Sequence, residues 1–300
     1  MHSSRSNNQR GILAICGCMA SYTVNDVLVK QILHSYPIGE VIFVRGAMSV
    51  LLIGAAVLVV GYRLWPRAAI KGRLVWRSAF DGLSTAGFVA ALANMQIANV
   101  AAVLQVAPLI ITALSVMLYR EAVGWQRWTA IGIGFAGALL VIKPLPWAFN
   151  VWALAGVASA LFAALREIQT RRIGQELPTL VVAFWGAVGI TLFGPVFAVG
   201  ETWNVLPAAD LVQLMIAAVF VGIAIYLMAA AFREVDLSVV APFRYSYLLT
   251  SALGGFLVFD EIPDGWSVIG AALIVGSGIY ALHREAAHRR ALTAKASVAL

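Results

Sequence analysis

Four charged residues lie inside long apolar runs of the sequence: Asp26, Arg45, Asp81 and Arg244. A charged side chain at the centre of a helix in lipid costs about 2.5–3.5 kcal/mol on insertion scales. Such residues therefore face a partner, the interior of a helix bundle or water. A guanidinium in that setting can bind a carboxylate, and a carboxylate can bind an amine or carry a proton. The four charges thus indicate a site for a small charged molecule.

Polar and aromatic side chains recur at helical spacing beside these charges. Tyr22, Asp26 and Val29 follow i, i+4, i+7 spacing, which places them on one face of a helix. Aromatic walls with few polar groups suit small, partly apolar solutes. The residues predicted to line such a cavity are Tyr22, Asn25, Asp26, Arg45, Asp81, Thr85, Phe88, Gln105, Trp185, Tyr226, Arg244 and Tyr245.

The composition shows which elements must position these residues. The 300 residues are 61% hydrophobic and only 12% charged, whereas soluble domains carry about 25% charged residues. Many apolar runs reach the length that crosses a bilayer, roughly 17–25 residues. The sequence therefore predicts an all-α integral membrane protein with ten transmembrane helices, at 11–33, 38–60, 74–96, 99–119, 125–142, 150–172, 179–199, 209–232, 236–259 and 265–282.

The basic residues predict the orientation of these helices. If both termini are cytoplasmic, 17 of the 21 Lys and Arg residues fall in inner segments, and only Lys30 and Lys143 lie near outer ends. Cytoplasmic loops of membrane proteins are enriched in Lys and Arg. We therefore predict an N-in, C-in protein of the inner membrane, with a cytoplasmic N-terminus at 1–10 and a basic cytoplasmic tail at 283–300. The net charge of +7 then reflects these loops, and no nucleic-acid partner is predicted.

Depth in the bilayer predicts two ion pairs. Asp26 and Arg45 each lie about seven residues from an outer helix end, or roughly 10 Å at 1.5 Å per residue. Asp81 and Arg244 lie at a similar depth above the inner edge. We expect Asp26–Arg45 and Asp81–Arg244 pairs. A structural pair and a substrate-binding role remain compatible, because a partner can be exchanged during transport.

Other polar and small residues favour structural roles. Glu121 and Glu261 end helices and are predicted to cap or tie the start of the next helix. The tryptophans near predicted helix ends are typical of an interfacial belt: Trp65, Trp76, Trp147, Trp152, Trp203 and Trp266. Small residues in the fifth and tenth helices would let these helices pack closely, against each other or across a homodimer interface: Gly132, Ala136, Gly270, Gly276 and Gly278.

The second half of the chain repeats the first at an offset of 140 residues. Without a gap, 11–121 falls on 151–261 with 18 identities in 111 positions, including Gly46 on Gly186. Each copy holds five predicted helices, and an odd number forces the second copy to enter the membrane from the opposite side. Inverted repeats of this kind are common in secondary transporters and place a binding site between the halves. The predicted repeats are 11–143 and 150–282.

The motifs of the two halves match a known superfamily. Both "VLQVAPLIITALSVMLYREAVGWQRWTAIGIGFAGALLVI" (103–142) and "LLTSALGGFLVFDEIPDGWSVIGAALIVGSGIY" (248–280) hold a helix ending in Glu, a loop with Trp and a helix rich in small residues. The chain resembles the drug/metabolite transporter superfamily in its ten-helix form with two EamA-type repeats. It is most similar to the YddG-type exporters of aromatic and other amino acids. "EVIFVRG" (40–46) resembles the second-helix arginine motif of that family, but Trp185 stands at the repeat position of Arg45.

The resemblance implies an exporter of amino acids and related small metabolites that works by alternating access. Its partners would be a small-molecule substrate and membrane lipid, with no cofactor. The alternatives are the same fold carrying a drug, nucleotide-sugar or sulfonium metabolite, or a membrane receptor or assembly protein that does not transport. An enzyme is not predicted, since the sequence has no phosphate-binding loop, zinc motif or Ser/His/Asp triad. Proton coupling stays open, with Asp26, Asp81 and Glu40 as the titratable groups.

Overall fold

The computed structural model describes residues 2–65, 72–119, 125–143, 150–173, 177–231 and 240–298. These residues form eleven α-helices and a 3₁₀ helix, and no strand occurs among them. The α-helices are α1 (His2–Leu33), α2 (Ile38–Val59), α3 (Gly72–Asn94), α4 (Ile97–Leu104), α5 (Ala107–Tyr119), α6 (Trp125–Ile142), α7 (Trp152–Ile173), α8 (Thr179–Phe197), α9 (Ala208–Ala231), α10 (Ser246–Phe259) and α11 (Gly265–Val298), and the 3₁₀ helix is Ala241–Tyr245.

The helices follow the predicted spans with four differences, and the first is that α1 begins at His2, nine residues before its predicted start. The fourth span is broken into α4 and α5, and the described part of the ninth passes through the 3₁₀ helix into α10. The tenth continues to Val298, so the described part of the predicted tail is helical. Six of the described helical segments are long and apolar enough to cross a membrane. The start of the ninth span, Glu121 and Trp147 lie outside the described residues.

Equivalent helices of the two halves run in opposite directions. The first turn of α2 donates the Gly39 N–H to Glu201, beyond the end of α8, while Trp185 near the start of α8 donates to the carbonyl of Leu64, beyond the end of α2. The start of α4 meets the end of α10 in the same way. Lys143, after α6, pairs with Asp264, before α11, at 2.5 Å. The all-helical inverted-repeat fold that the sequence predicts is therefore confirmed.

Contacts between the halves repeat under the same symmetry. Helix α1 packs along α9, and the equivalent pair α7 and α3 packs in the same way. Helix α2 packs along its own counterpart α8, as α6 does along α11. Most of the packing that builds the bundle thus joins one half to the other, so a site at its centre draws residues from both.

The outer surface of the bundle suits lipid. Leucines on its outward faces remain largely exposed, among them Leu51, Leu192 and Leu249 at 71%, 67% and 75%. In water such a surface would be an aggregation hazard, whereas lipid tails solvate it. The five predicted belt tryptophans within the described residues are all exposed, as an interfacial role requires.

Two glycines bring α6 and α11 into backbone contact. A Cβ atom at Gly270 would lie 2.5 Å from the carbonyl oxygen of Gly137, and one at Gly137 would lie 2.6 Å from that of Gly270. These two small residues therefore let the fifth and tenth spans approach closely. By contrast, Gly132 and Gly276 have no atoms within 4 Å of an added Cβ.

We expect Gly270→Leu to lower the free energy of unfolding by about 1–3 kcal/mol, because its side chain would force two backbones apart. Gly132→Leu is the matched control, since it adds the same atoms where there is open space. Denaturation of both variants in detergent measures the difference. Equal stability of the two variants would contradict the assigned contact.

Candidate functional site

Asp26, Asn25 and Arg45 form a chain of hydrogen bonds at the centre of the bundle. The Asn25 amide donates to Asp26 Oδ1 at 2.9 Å, and its carbonyl oxygen accepts from Arg45 Nη1 at 3.2 Å. The Tyr247 hydroxyl donates to the other oxygen, Asp26 Oδ2, at 2.5 Å. All of these side chains are buried, with Asp26 3% and Arg45 7% exposed.

The predicted Asp26–Arg45 pair is therefore indirect. Among the described residues no ion pair within 4.0 Å joins the two, and the Asn25 amide bridges them instead. Their depths match as predicted, but the position of each side chain around its helix axis cannot be obtained from depth. The guanidinium also keeps one buried nitrogen, Arg45 Nε, without a hydrogen-bond partner.

Asp81 is held by two arginines, and Arg244 is neither of them. Arg77 Nη1 lies 3.0 Å from Asp81 Oδ2, one helical turn away on α3, and Arg166 Nη1 on α7 lies 2.9 Å from Oδ1. The predicted Asp81–Arg244 pair is thus wrong for this structure. The cross-half contact with Arg166 satisfies the carboxylate instead, and the Arg244 side chain is exposed.

Helix α8 lies close to this ion cluster. A Cβ at Gly186 would lie 2.5 Å from Asp81 Oδ2 and 2.4 Å from Arg77 Nη1. Only a residue without a side chain leaves room here for a carboxylate and a guanidinium. Arg77 also donates to the carbonyl of Val182 at 3.1 Å, which ties α3 to the start of α8.

The two broken spans meet beside the charged residues. Gln105, at the break between α4 and α5, donates through Nε2 to the carbonyl of Arg244 in the 3₁₀ helix, at 3.3 Å. The breaks are equivalent, because Gln105 and Tyr245 are 140 residues apart. Helices broken near the bilayer midplane are typical of transporter binding sites, where irregular backbone lines a cavity.

Tyr22 lies near the Asp81 cluster. It is half-buried on α1 and interacts electrostatically with Asp81, Arg166 and Arg244. Arg45 in turn interacts electrostatically with both Asp26 and Asp81. The acidic and basic groups of α1, α2, α3 and α7 therefore form one central cluster to which both halves contribute.

Five predicted site residues are placed elsewhere or add no polar contact. Trp185 packs edge-on against Trp65, with ring centroids 4.7 Å apart. Its indole N–H donates to the carbonyl of Leu64, which joins the segment after α2 to α8. Tyr226 is 71% exposed on an outward face. Phe88 packs against the apolar side chains around Val29. Thr85 is half-buried, and Tyr245 turns its buried hydroxyl, without a hydrogen-bond partner, toward Gly278.

Reasoning from sequence missed Arg166, Arg77 and Tyr247. Both arginines lie near the inner ends of predicted spans and count toward the inner segments, but the sequence does not show that Arg77 on α3 and Arg166 on α7 face Asp81. Two signals could have found them: Arg166 is 140 residues after Asp26, and Arg77 precedes Asp81 by one turn. Thus Asp26 and Arg166, of opposite charge, occupy equivalent positions in the two halves.

The end of α1 is connected to the second half by ionic contacts. Lys30 on α1 forms an ion pair with Glu261 and donates to the carbonyl of Met95 at 2.6 Å. Glu261 also accepts the Ile97 N–H at 2.8 Å, so it caps α4 in the other half rather than the next helix, α11. Helix α11 is capped by Asp264, where hydrogen bonds from Lys143 and Ser267 outweigh the opposing effect of desolvation and lower the pKa to about 2.

A separate groove of about 340 Å³ lies between α6 and α11. Its lining is mostly apolar, from residues such as Ile133, Leu273 and Tyr280, and contains no charged side chain. The groove therefore lacks the groups that would bind a charged solute, so we place the candidate site at the central cluster. Among the described residues no group of three His, Cys, Asp or Glu could hold a metal ion.

An inverted-repeat bundle with a central ionic cluster and two broken helices defines the class of membrane transporters. The EamA-like transporter family matches the chain twice, at residues 9–143 and 150–282, and the chain belongs to that family. The two matches span both predicted repeats, 11–143 and 150–282.

Proteins with known activities are similar over most of their length. An S-adenosylmethionine uptake transporter of Rickettsia bellii is 26% identical, covering 89% of this chain and 91% of that protein. The pseudopaline exporter CntI of Pseudomonas aeruginosa is 27% identical over 88% and 93%. A riboflavin transporter of Rhizobium johnstonii is 28% identical over 74% and 75%. One solved crystal structure matches with a TM-score of 0.62 at 20% identity over 93% and 98%, a likeness of fold alone.

Proposed function

We propose that this transporter exports amino acids, aromatic ones among them, and related small metabolites across the inner membrane, as the YddG-type proteins do. It would work by alternating access to the central cluster. The observation that carries the proposal is a central cluster that holds both signs of charge and joins the two halves. The Asp26–Tyr247 hydrogen bond joins α1 to α10, and the Asp81–Arg166 pair joins α3 to α7.

Opposite charges at one enclosed site suit a zwitterionic solute. An amino acid brings an ammonium and a carboxylate, and each loses its hydration on entering the bundle. Carboxylates and guanidiniums in the protein replace that hydration with charge-assisted hydrogen bonds. A site with a single sign of charge would leave one end of the solute unpaired and costly to bury.

A sulfonium metabolite is the second candidate. S-adenosylmethionine uptake transporters match this chain over 89% of its length. That solute is also an α-amino acid, so the same charges would serve it. The relatives include uptake transporters and an exporter, and export is the direction we propose for this protein. We propose an N-in, C-in orientation from the distribution of Lys and Arg.

The test is a transport panel with the purified protein in liposomes. Labelled L-phenylalanine should move faster than in protein-free liposomes, and unlabelled amino acids and S-adenosylmethionine should compete with it. Repeating the panel with and without a pH gradient separates proton-coupled transport from facilitated diffusion. Transport of riboflavin alone, with no flux of any amino acid, would refute the proposal.

A receptor or assembly protein would behave differently in a labelling experiment. A cysteine introduced at Tyr22 should react from either face of the membrane, depending on the solutes supplied, if the site opens alternately. Reaction from one face under every condition would favour a protein that does not transport.

A further inference from the structure

Asn25 separates a buried carboxylate from a buried guanidinium. Its amide N–H faces Asp26 and its carbonyl oxygen faces Arg45, at 2.9 and 3.2 Å. This orientation of the amide is fixed by its partners, since a carboxylate only accepts and a guanidinium only donates. Asn25 itself is 5% exposed, so all three polar groups are closed to solvent in this state.

Both charged groups are under-satisfied compared with the neighbouring ion cluster. Asp81 bonds to two guanidiniums, whereas among the described residues Asp26 bonds only to the neutral hydroxyl of Tyr247 and the amide of Asn25. Arg45 donates to the amide, and its buried Nε has no partner. Hydrogen bonds between charged partners are roughly twice as strong as neutral ones. A ligand with charges of the correct polarity would therefore improve on the bonds that Asn25 provides.

An α-amino-acid group has that polarity. Its ammonium donates and its carboxylate accepts, and they are attached to one carbon, so they span a distance comparable to the two ends of the Asn25 amide. We propose that Asp26 and Arg45 are the binding site for the α-amino-acid group of the solute, with Asp26 accepting from the ammonium and Arg45 donating to the carboxylate. Asn25 turns aside when the solute enters. The assignment rests on the proposed function and identifies the side chains that bind the solute.

The Asp81 cluster serves a different purpose in this scheme. Its carboxylate already has two cationic partners from α3 and α7, so it offers a solute no unfilled bond. We therefore assign Arg77, Asp81 and Arg166 to joining the halves, and the chain Asp26–Asn25–Arg45 to binding.

Analogues that lack one charge test the assignment. The probes are L-phenylalanine, phenethylamine, 3-phenylpropionate, S-adenosylmethionine and decarboxylated S-adenosylmethionine, measured as competitors for binding to detergent-purified protein and as transported solutes. In the wild type, removing either charge should weaken binding by about tenfold to a hundredfold, the equivalent of one lost charged hydrogen bond.

The variants should each remove one half of that discrimination. Arg45→Gln should bind L-phenylalanine and phenethylamine equally, while still rejecting 3-phenylpropionate. Asp26→Asn should bind L-phenylalanine and 3-phenylpropionate equally, while still rejecting phenethylamine. Lys143→Gln, which alters an exposed pair far from the site, should retain both ratios. Arg45→Lys keeps a cation, so it should retain part of the carboxylate preference if Arg45→Gln does not fold.

Two failures can be told apart. If the wild type carries amino acids but both variants keep its ratios, the binding assignment is wrong and the proposed function stands. If the wild type neither binds nor carries any compound with an α-amino-acid group, the proposed function fails and the assignment fails with it.

Discussion

Asp81→Asn is expected to lower the free energy of unfolding by about 3–5 kcal/mol, because it leaves two guanidiniums facing a neutral amide. Side-chain exposure is 12% for Arg77 and 10% for Asp81 but 34% for Arg166, so water can reach the Arg166 guanidinium and most of the loss falls on Arg77. Because Arg166 reaches Asp81 from the second half, the substitution should also weaken the packing of one half against the other. Equilibrium unfolding of the purified protein by sodium dodecyl sulfate measures the loss of stability.

The control for Asp81→Asn is Lys143→Gln, which breaks an ion pair whose side chains are 30% and 44% exposed. Exposed pairs contribute only about 0–1 kcal/mol. If the two variants lose similar stability, the Asp81 cluster is not a buried ionic contact. Arg77→Met in the Asp81→Asn background should recover part of the loss, because it removes one of the two uncompensated charges.

Glu261→Gln is expected to cost about 3–5 kcal/mol as well, by leaving the Lys30 ammonium buried without a counter-charge. The Lys30 side chain is 7% exposed, and within the described part of the chain its ammonium would keep the carbonyl of Met95 and the face of Phe259 as neighbours. Glutamine still accepts the Ile97 N–H, so this variant isolates the charge from the helix cap. Glu261→Ala removes both and should cost about 1–3 kcal/mol more.

The double variant Lys30→Met/Glu261→Gln distinguishes a charge effect from a packing effect. With the ammonium gone, much of the stability lost in Glu261→Gln should return, because replacing both members of a buried ion pair is often nearly neutral. A double variant that is no more stable than Glu261→Gln would contradict the assignment of the loss to the unpaired Lys30. The same detergent unfolding assay compares the three variants.

The spans could be predicted because a run of about twenty mostly apolar residues is typical of a transmembrane helix. The repeat and its inversion followed from the offset of 140 residues and the odd number of helices. The breaks did not follow so directly: Pro108 and Pro242 lie near them, but the sequence does not show the Gln105–Arg244 hydrogen bond that joins the two broken spans. Sequence gives the depth of a residue far better than the direction in which it faces.

That difference explains the errors at the candidate site. Asp81 and Arg244 agree in depth, whereas the direction in which Arg77 and Arg166 face within their predicted spans does not follow from the sequence. Trp185 was expected in the cavity because it lies deep in its helix, yet its ring points to Leu64 and Trp65. The bridge through Asn25 needs atomic positions, because neither charge nor spacing indicates that a neutral amide lies between two opposite charges.

The opposite charges at Asp26 and Arg166 have a consequence for the resting state of the protein. In a perfectly symmetric carrier, exchanging the conformations of the two halves would regenerate an equivalent molecule, and the inward and outward forms would be equal in energy. In this protein the exchange would place the Asp26 carboxylate in the surroundings that the Arg166 guanidinium had occupied. The protein without solute should therefore favour either the inward-facing or the outward-facing conformation. The binding of a solute must supply the free-energy difference before the other conformation is populated.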